Sequence, residues 1–112
     1  MKIAIPVADG CLCAHFGHCE AFAIVETDHQ HREIAGESVH KAPPHEPGLL
    51  PRWLHGLGAD VIIAGGMGQR AQQLFEQSGI TVVVGAPADT PVRLAAAYMA
   101  GTLQAGENLC DH

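Results

Sequence analysis

A chain of 112 residues, 47% of them hydrophobic, is long enough to bury a core, and its length predicts one domain over residues 1–112. Six basic residues against twelve acidic ones give a net charge of −6, which disfavours nucleic acid or an anionic membrane as a partner. The N-terminal apolar run is short and interrupted by Pro6, unlike a secretory signal, and no apolar run approaches the ~18 residues of a membrane span. We therefore expect a cytoplasmic protein whose four cysteines remain thiols or bind metal.

The first half of the chain predicts three strands. Residues 2–7 form a short apolar run rich in β-branched side chains, and residues 21–27 form a second. Residues 33–40 are more polar, which is typical of a strand at the edge of a sheet. We expect the three strands to pair antiparallel, with residues 8–20 forming a loop between the first two.

The second half predicts helices that alternate with buried strands. Helices are expected over residues 51–57, 69–78 and 91–100, and strands over residues 60–64 and 80–84. Pro51 and Pro91 suit a first helical turn, and Gly101 suits a helix end. The tail from about residue 102 is expected to be loosely structured. This order predicts an α/β fold in which helices cover a five-stranded mixed sheet with right-handed crossovers.

A dense run of metal-binding side chains follows the first strand. Residues 11–19 contain three of the four cysteines and two of the eight histidines. Thiolates and imidazoles bind zinc, copper and iron–sulfur species, but C-x-C-x5-C is not a standard zinc or ferredoxin spacing. The alternative is that small thiols pack as ordinary hydrophobic side chains next to structural histidines.

Sheet topology favours a shared site for part of this run. Ligands of open α/β sheets bind at the carboxyl ends of the parallel strands, and several of the predicted loops meet there. We predict metal ligation by His15, His18, Cys19 and His45. Cys11 and Cys13, just after a turn, are interpreted as bystanders.

The C-terminal Cys110 and His112 form a further candidate metal pair. Eleven tail residues can extend up to roughly 36 Å, enough to return to the same edge, although a disordered end is the simpler alternative.

The segment Gly66–Ala71 matches the G-x-G-x-x-G/A dinucleotide pattern, but the chain has room for little more than one mononucleotide-binding half. The narrower prediction is an anion or anionic cluster held by backbone N–H groups at a helix N-terminus, with Arg70 nearby. A purely structural tight turn remains an alternative. The sequence has no G-x-S-x-G, P-loop or H-E-x-x-H motif, so we expect no catalytic activity.

Four segments together resemble the dinitrogenase iron–molybdenum cofactor biosynthesis family. They are Met1-Lys-Ile-Ala-Ile-Pro-Val, His15-Phe-Gly-His-Cys, Gly58-Ala-Asp-Val-Ile-Ile-Ala-Gly-Gly-Met-Gly-Gln-Arg-Ala71 and Ala95-Ala-Ala-Tyr-Met-Ala-Gly101. The resemblance covers nearly the whole chain. It implies a ribonuclease H-like, three-layer α/β/α fold without nuclease activity.

The resemblance also implies binding or carrying of a metal–sulfur cluster. The family's His-Phe-Gly position falls on His15, Phe16 and Gly17, and its glycine loop falls on Gly65, Gly66, Met67 and Gly68. The Pro-Pro-His45-Glu-Pro loop and the Cys-Asp-His end look like a subgroup distinct from the nitrogenase-linked members. The cargo would be a cluster or a transition metal, iron, molybdenum, copper or zinc, exchanged with a donor or acceptor protein.

Two other functions stay open, as does a homodimer. One is a regulatory or scaffold module with a structural zinc or no metal, and the other is a nucleotide-binding protein that uses residues 65–70.

Overall fold

A computed structural model describes residues 1–13, 20–28, 33–42 and 49–103 of the chain. The elements, in order, are β1 (Lys2–Ala8), β2 (Cys11–Leu12), β3 (Ala21–Asp28), β4 (Glu33–Lys41), α1 (Leu49–Gly56), β5 (Val61–Ile63), α2 (Gln69–Gln77), β6 (Thr81–Val83) and α3 (Pro91–Ala100). The α/β class, the three helices and the five main strands are confirmed, and β2 is an additional short strand. Among the described helices, none is long and apolar enough to cross a membrane.

The five main strands form one mixed sheet in the order β4-β3-β1-β5-β6. β3 runs antiparallel to both of its neighbours, whereas β1, β5 and β6 are mutually parallel. β1, β4, β5 and β6 therefore all end at the same edge of the sheet, which we call the carboxyl edge. The chain enters β3 from this edge as well.

Helices cover both faces of the sheet and enclose two hydrophobic cores. α1 and α2 contribute Leu54 and Phe75 to the core on one face, here called the α2 face. α3 contributes Leu94 to the core on the opposite face, the α3 face. Alternation along β1 explains why both cores form, because Ile3 and residues 5 and 7 point to the α3 face while Ala4 points to the α2 face.

The prediction of an unbroken loop over residues 8–20 is wrong for its first part. Asp9 and Gly10 have φ values of 54° and 82°, and two positive φ angles in a two-residue loop are typical of a type I′ hairpin turn. The chain therefore folds back at once, and Cys11 pairs with Ala8. The pairing extends beyond β2, since the Cys13 N–H donates to the Pro6 carbonyl at 2.9 Å.

Two other boundaries illustrate how proline and glycine act. α1 begins at Leu49, two residues before Pro51, so this proline lies within the first turn, where its missing N–H leaves no helical bond unmade. α3 begins at Pro91 as predicted and ends before Gly101, whose φ of 74° suits the left-handed C-cap. The edge position predicted for the polar third strand is also confirmed, as β4.

Candidate functional site

β2 lies beyond the carboxyl end of β5, in the position beside β1 that a longer β5 would occupy. β1 pairs with β3 along its length, so its other side is shared by β5, which pairs with Ile3 and Ala4, and β2, which pairs with Val7 and Ala8. Pro6 lies at the changeover between these two partners: its carbonyl accepts the Cys13 N–H, and its missing N–H removes one ladder bond on the same side. The first cysteines thus adjoin the turn that follows β5.

The hairpin places two thiols on one face of the sheet. Leu12 pairs with Val7 and is buried in the core of the α3 face. Side chains alternate along an extended segment, so Cys11 and Cys13, both half-buried, lie on the α2 face. A C-x-C sequence in extended conformation therefore presents two neighbouring sulfur ligands on the side of the sheet where α2 begins.

Backbone hydrogen bonds join this hairpin to the loops after β5 and β6. The Leu12 N–H donates to the Asp89 carbonyl at 2.9 Å, and the Gly85 N–H donates to the Gly65 carbonyl at 3.0 Å. The Ala86 N–H donates to the Ala64 carbonyl at 3.2 Å. Gly65, Gly66 and Met67 are buried within this network, whereas Gly68 is exposed. Three loops of the carboxyl edge are consequently fixed relative to one another.

The N-terminus of α2 is the part of this edge best suited to an anion. Gly68 occupies the N-cap with φ −62° and ψ 151°, makes no side-chain cap hydrogen bond, and precedes a first turn without acidic residues. The first N–H groups of a helix have no intrahelical acceptor and carry a partial positive charge. Arg70, exposed in the same turn, adds a full positive charge.

The N-terminus of α3 differs because a carboxylate already lies there. The Thr90 N–H donates to Asp89 Oδ1 at 2.7 Å, and Arg93 lies 3.8 Å from the same oxygen. Near this end of α3, a cavity of about 330 Å³ is bordered by Asp9, Glu20 and Pro91. The carboxylates near the start of α3 thus disfavour an anionic ligand there, which makes the N-terminus of α2 the more favourable of the two helix ends.

All six side chains predicted as metal ligands lie outside the described residues. These are His15, His18, Cys19, His45, Cys110 and His112, together with the predicted cluster contacts Phe16 and Gly17. Within the described ranges, no group of three or more His, Cys, Asp or Glu side chains could hold a metal ion. Of the predicted contacts, the structure therefore places Gly65 to Gly68, at the carboxyl edge.

Sequence interpretation took Cys11 and Cys13 as bystanders in a loop and did not predict that a hairpin sets both on one face of the sheet. The available signal was Asp9-Gly10 between apolar residues, which is compatible with a two-residue hairpin and hence with a shared face for the two thiols.

The fold and this edge define a small α/β protein that gathers thiols and backbone N–H groups where its parallel strands end. The family model described as "Dinitrogenase iron-molybdenum cofactor" matches residues 1–101. The chain belongs to this family, which is associated with the biosynthesis of the iron–molybdenum cofactor.

Individual proteins are also similar to this chain. The uncharacterized protein MJ0580 of Methanocaldococcus jannaschii is 36% identical over 86 residues, which cover 73% of this chain and 72% of that protein. The crystal structure of PH0822 is similar with a TM-score of 0.84 and 29% identity, over 94% of each chain. The apo form of the orange protein from Desulfovibrio gigas shares the fold, with a TM-score of 0.71 and 20% identity over 96% of this chain and 93% of that one.

Proposed function

We propose that the protein binds and carries a metal–sulfur cluster or its metal at the carboxyl edge, on the α2 face, without catalysing a reaction. The observation that carries this proposal is the shared position of the Cys11 and Cys13 thiols beside the turn that leads into the uncapped N-terminus of α2. Family membership supports the same cargo.

The thiols and the backbone N–H groups would make different contacts with the cargo. Thiolates of Cys11 and Cys13 would bind the soft metal, and the N–H groups that follow Gly68 would stabilise the negative charge on cluster sulfurs. Because the two thiols alone do not complete a coordination shell, further ligands are needed. The predicted Cys19, His15, His18 and His45, and the tail pair Cys110 and His112, remain the candidates.

Anaerobic reconstitution with iron and sulfide, followed by elemental analysis and absorption spectroscopy, tests the proposal. The matched variants are Cys11→Ser, Cys13→Ser and the double variant, compared with Ser78→Ala at the distant end of α2. We expect the double variant to lose most of the bound metal while Ser78→Ala retains it. Wild-type protein that takes up no metal, or a double variant that loads normally, would contradict the proposal.

Chelation distinguishes a carrier from a scaffold with a structural zinc. A structural site contributes folding energy, so removing its metal lowers the melting temperature sharply, whereas a carrier keeps its fold after releasing its cargo. The buried hydrophobic cores on both faces support a fold that does not depend on metal. We expect the chelated protein to melt cooperatively near the temperature of the loaded form, and a collapse of the melting temperature would favour the scaffold.

Several finer predictions belong with this proposal. The strand order β4-β3-β1-β5-β6 with one antiparallel member supports a ribonuclease H-like assignment of the fold. The cargo hypothesis requires a donor or acceptor protein, and a net charge of −6 supports a basic partner surface over nucleic acid or an anionic membrane. The cytoplasm, where thiols stay reduced, is the expected location.

A further inference from the structure

β4 presents an outer edge that no strand pairs with in the parts of the chain that the structure describes. The Ala42 N–H donates inward to the Glu20 carbonyl of the β3 side at 3.1 Å. The N–H and C=O groups of one strand residue point to the same side, and successive residues alternate between the two sides. The backbone groups of Glu37, Val39 and Lys41 therefore point outward. This edge therefore offers three evenly spaced donor and acceptor pairs.

The side chains along this edge are self-complementary about Val39. Val39 is 62% exposed, more than any other large hydrophobic side chain among the residues that the structure describes. Glu37 and Lys41 flank it at equal distances along the strand and, by alternation, lie on the same α3 face. On the opposite face, Ser38 and His40 flank the same point and hydrogen bond to each other at 3.0 Å.

We propose that β4 pairs antiparallel with β4 of a second copy of this chain, about a two-fold axis through Val39. In this register Glu37 lies opposite the partner's Lys41, and Lys41 lies opposite the partner's Glu37. The two exposed valines meet on the axis, and each Ser38 lies opposite the partner's His40. The outward backbone groups of residues 37, 39 and 41 then form a regular ladder across the interface.

Neighbouring registers lack this complementarity. A two-fold axis perpendicular to the sheet places the α3 faces of both copies on the same side of the joined sheet. Residues on one face must then lie opposite residues on the same face, so alternative registers place the axis at another residue of β4. An axis at Glu37 sets two carboxylates against each other, and one at Ser38 sets Glu37 against the partner's Val39. An axis at His40 sets Val39 against the partner's Lys41. Of these registers, only the one with the axis at Val39 places opposite charges against each other and also places the two valines against each other.

The irregularity of β4 limits the paired segment. The register with β3 shifts between Glu26 and Thr27, so that Glu26 pairs with Gly36 while Thr27 pairs with Ile34. This bulge at Ala35 turns the strand before Gly36 and restricts regular pairing to the part that follows. A short ladder buries less than the roughly 1,600 Å² of a standard interface, so we expect a dimer that dissociates on dilution.

Pairing of this kind leaves both cluster sites open. The partner's strand runs in the opposite direction, so the two carboxyl edges face opposite ways. Metal uptake and dimerisation are therefore separable, and failure of either proposal leaves the other to be judged on its own assay.

Sedimentation velocity over a wide range of protein concentrations tests the pairing, in reductant and chelator so that disulfides or metal cannot cross-link the chains. We expect Glu37→Lys and Lys41→Glu each to weaken dimerisation by about tenfold or more, because two attractive pairs become repulsive. The double variant Glu37→Lys with Lys41→Glu exchanges the charges and should restore it. Glu33→Lys, before the bulge, makes the same charge change as Glu37→Lys and should leave dimerisation unchanged.

Each outcome decides the proposal. Recovery in the double variant, with Glu33→Lys unaffected, supports pairing at this register. A protein that stays monomeric at every concentration overturns it and leaves the edge to a strand of another protein. A dimer that ignores both single charge reversals also overturns it, because its interface lies elsewhere. Circular dichroism melts confirm that each variant is folded.

Discussion

An aspartate at the N-cap of α2 should stabilise the protein and weaken its hold on an anionic cargo. Gly68 has an extended backbone that any residue can adopt, and a Cβ built there meets no atom within 4 Å. Gly68→Asp therefore introduces no clash. Its carboxylate can accept one of the free N–H groups of the first turn, where the described residues supply no competing acid.

The expected gain in stability is about 1 kcal/mol. Aspartate exceeds glycine at an N-cap by a few tenths of a kcal/mol, a negative charge at a helix N-terminus adds about 0.3–1 kcal/mol, and replacing glycine lowers the entropy of the unfolded chain. For a chain of 112 residues this raises the melting temperature by about 3–6 °C. The same charge repels a dianionic ligand by on the order of 1–2 kcal/mol, a loss of about five- to thirtyfold in affinity.

Gly68→Ser is the matched control, because its hydroxyl caps the helix without adding charge. Thermal melts of the metal-free proteins and titration with tetrathiomolybdate, a small coloured metal–sulfur dianion, give the two measurements. We expect both variants to melt above the wild type, and only the aspartate to bind the dianion more weakly. Equal affinity in the two variants would refute the placement of the anion at α2, and a lower melting temperature for both would refute the N-cap assignment.

Two further predictions concern the hairpin and the core. Gly10→Ala should cost about 1–2 kcal/mol in the free energy of unfolding, because φ is 82° there, and it should also reduce metal uptake by displacing the thiols. Gly56→Ala, at the end of α1 with no atom within 4 Å of the added Cβ, should leave metal uptake unchanged and raise the free energy of unfolding by up to about 1 kcal/mol. Phe75→Ala, which empties a fully buried position, should lower the free energy of unfolding by about 3–5 kcal/mol in urea titrations without altering the residual metal stoichiometry of the folded fraction.

The sheet was predictable because its strands carry strong and unambiguous patterns. The Val-Ile-Ile run of β5 is buried on both faces, as a continuous apolar run requires in a parallel strand between helix layers. The polar composition of β4, none of whose residues is buried, marks a strand at the edge of the sheet. Pro91 and Gly101 fixed the ends of α3 because each restricts or permits φ in a way that few other residues do.

The site was less predictable because it depends on a short hairpin. The two-residue strand β2 contains too few residues to show periodicity, and Cys11 and Cys13 bracket a leucine that could equally lie in a loop. The deciding information is the turn: Asp9-Gly10 is compatible with two positive φ angles, and those angles reverse the chain within two residues. Which strand the reversed segment joins is a tertiary property, set by the early end of the β1–β5 pairing.

The short pairing of β5 with β1 has a direct consequence for the chemistry of the carboxyl edge. Had β5 continued alongside β1 past Ala4, it would have occupied the position that β2 fills and kept the cysteines away from the turn after β5. Pro6 opposes such a continuation, because it has no N–H to donate toward a longer β5. The parallel ladder ends before Pro6, which leaves the place beside residues 6–8 to β2 and its two thiols at the carboxyl edge. Replacing Pro6 with alanine should preserve the fold, since the Cys13 N–H still bonds to the carbonyl of residue 6, and loss of metal uptake in that variant would show that the thiols depend on proline for their position.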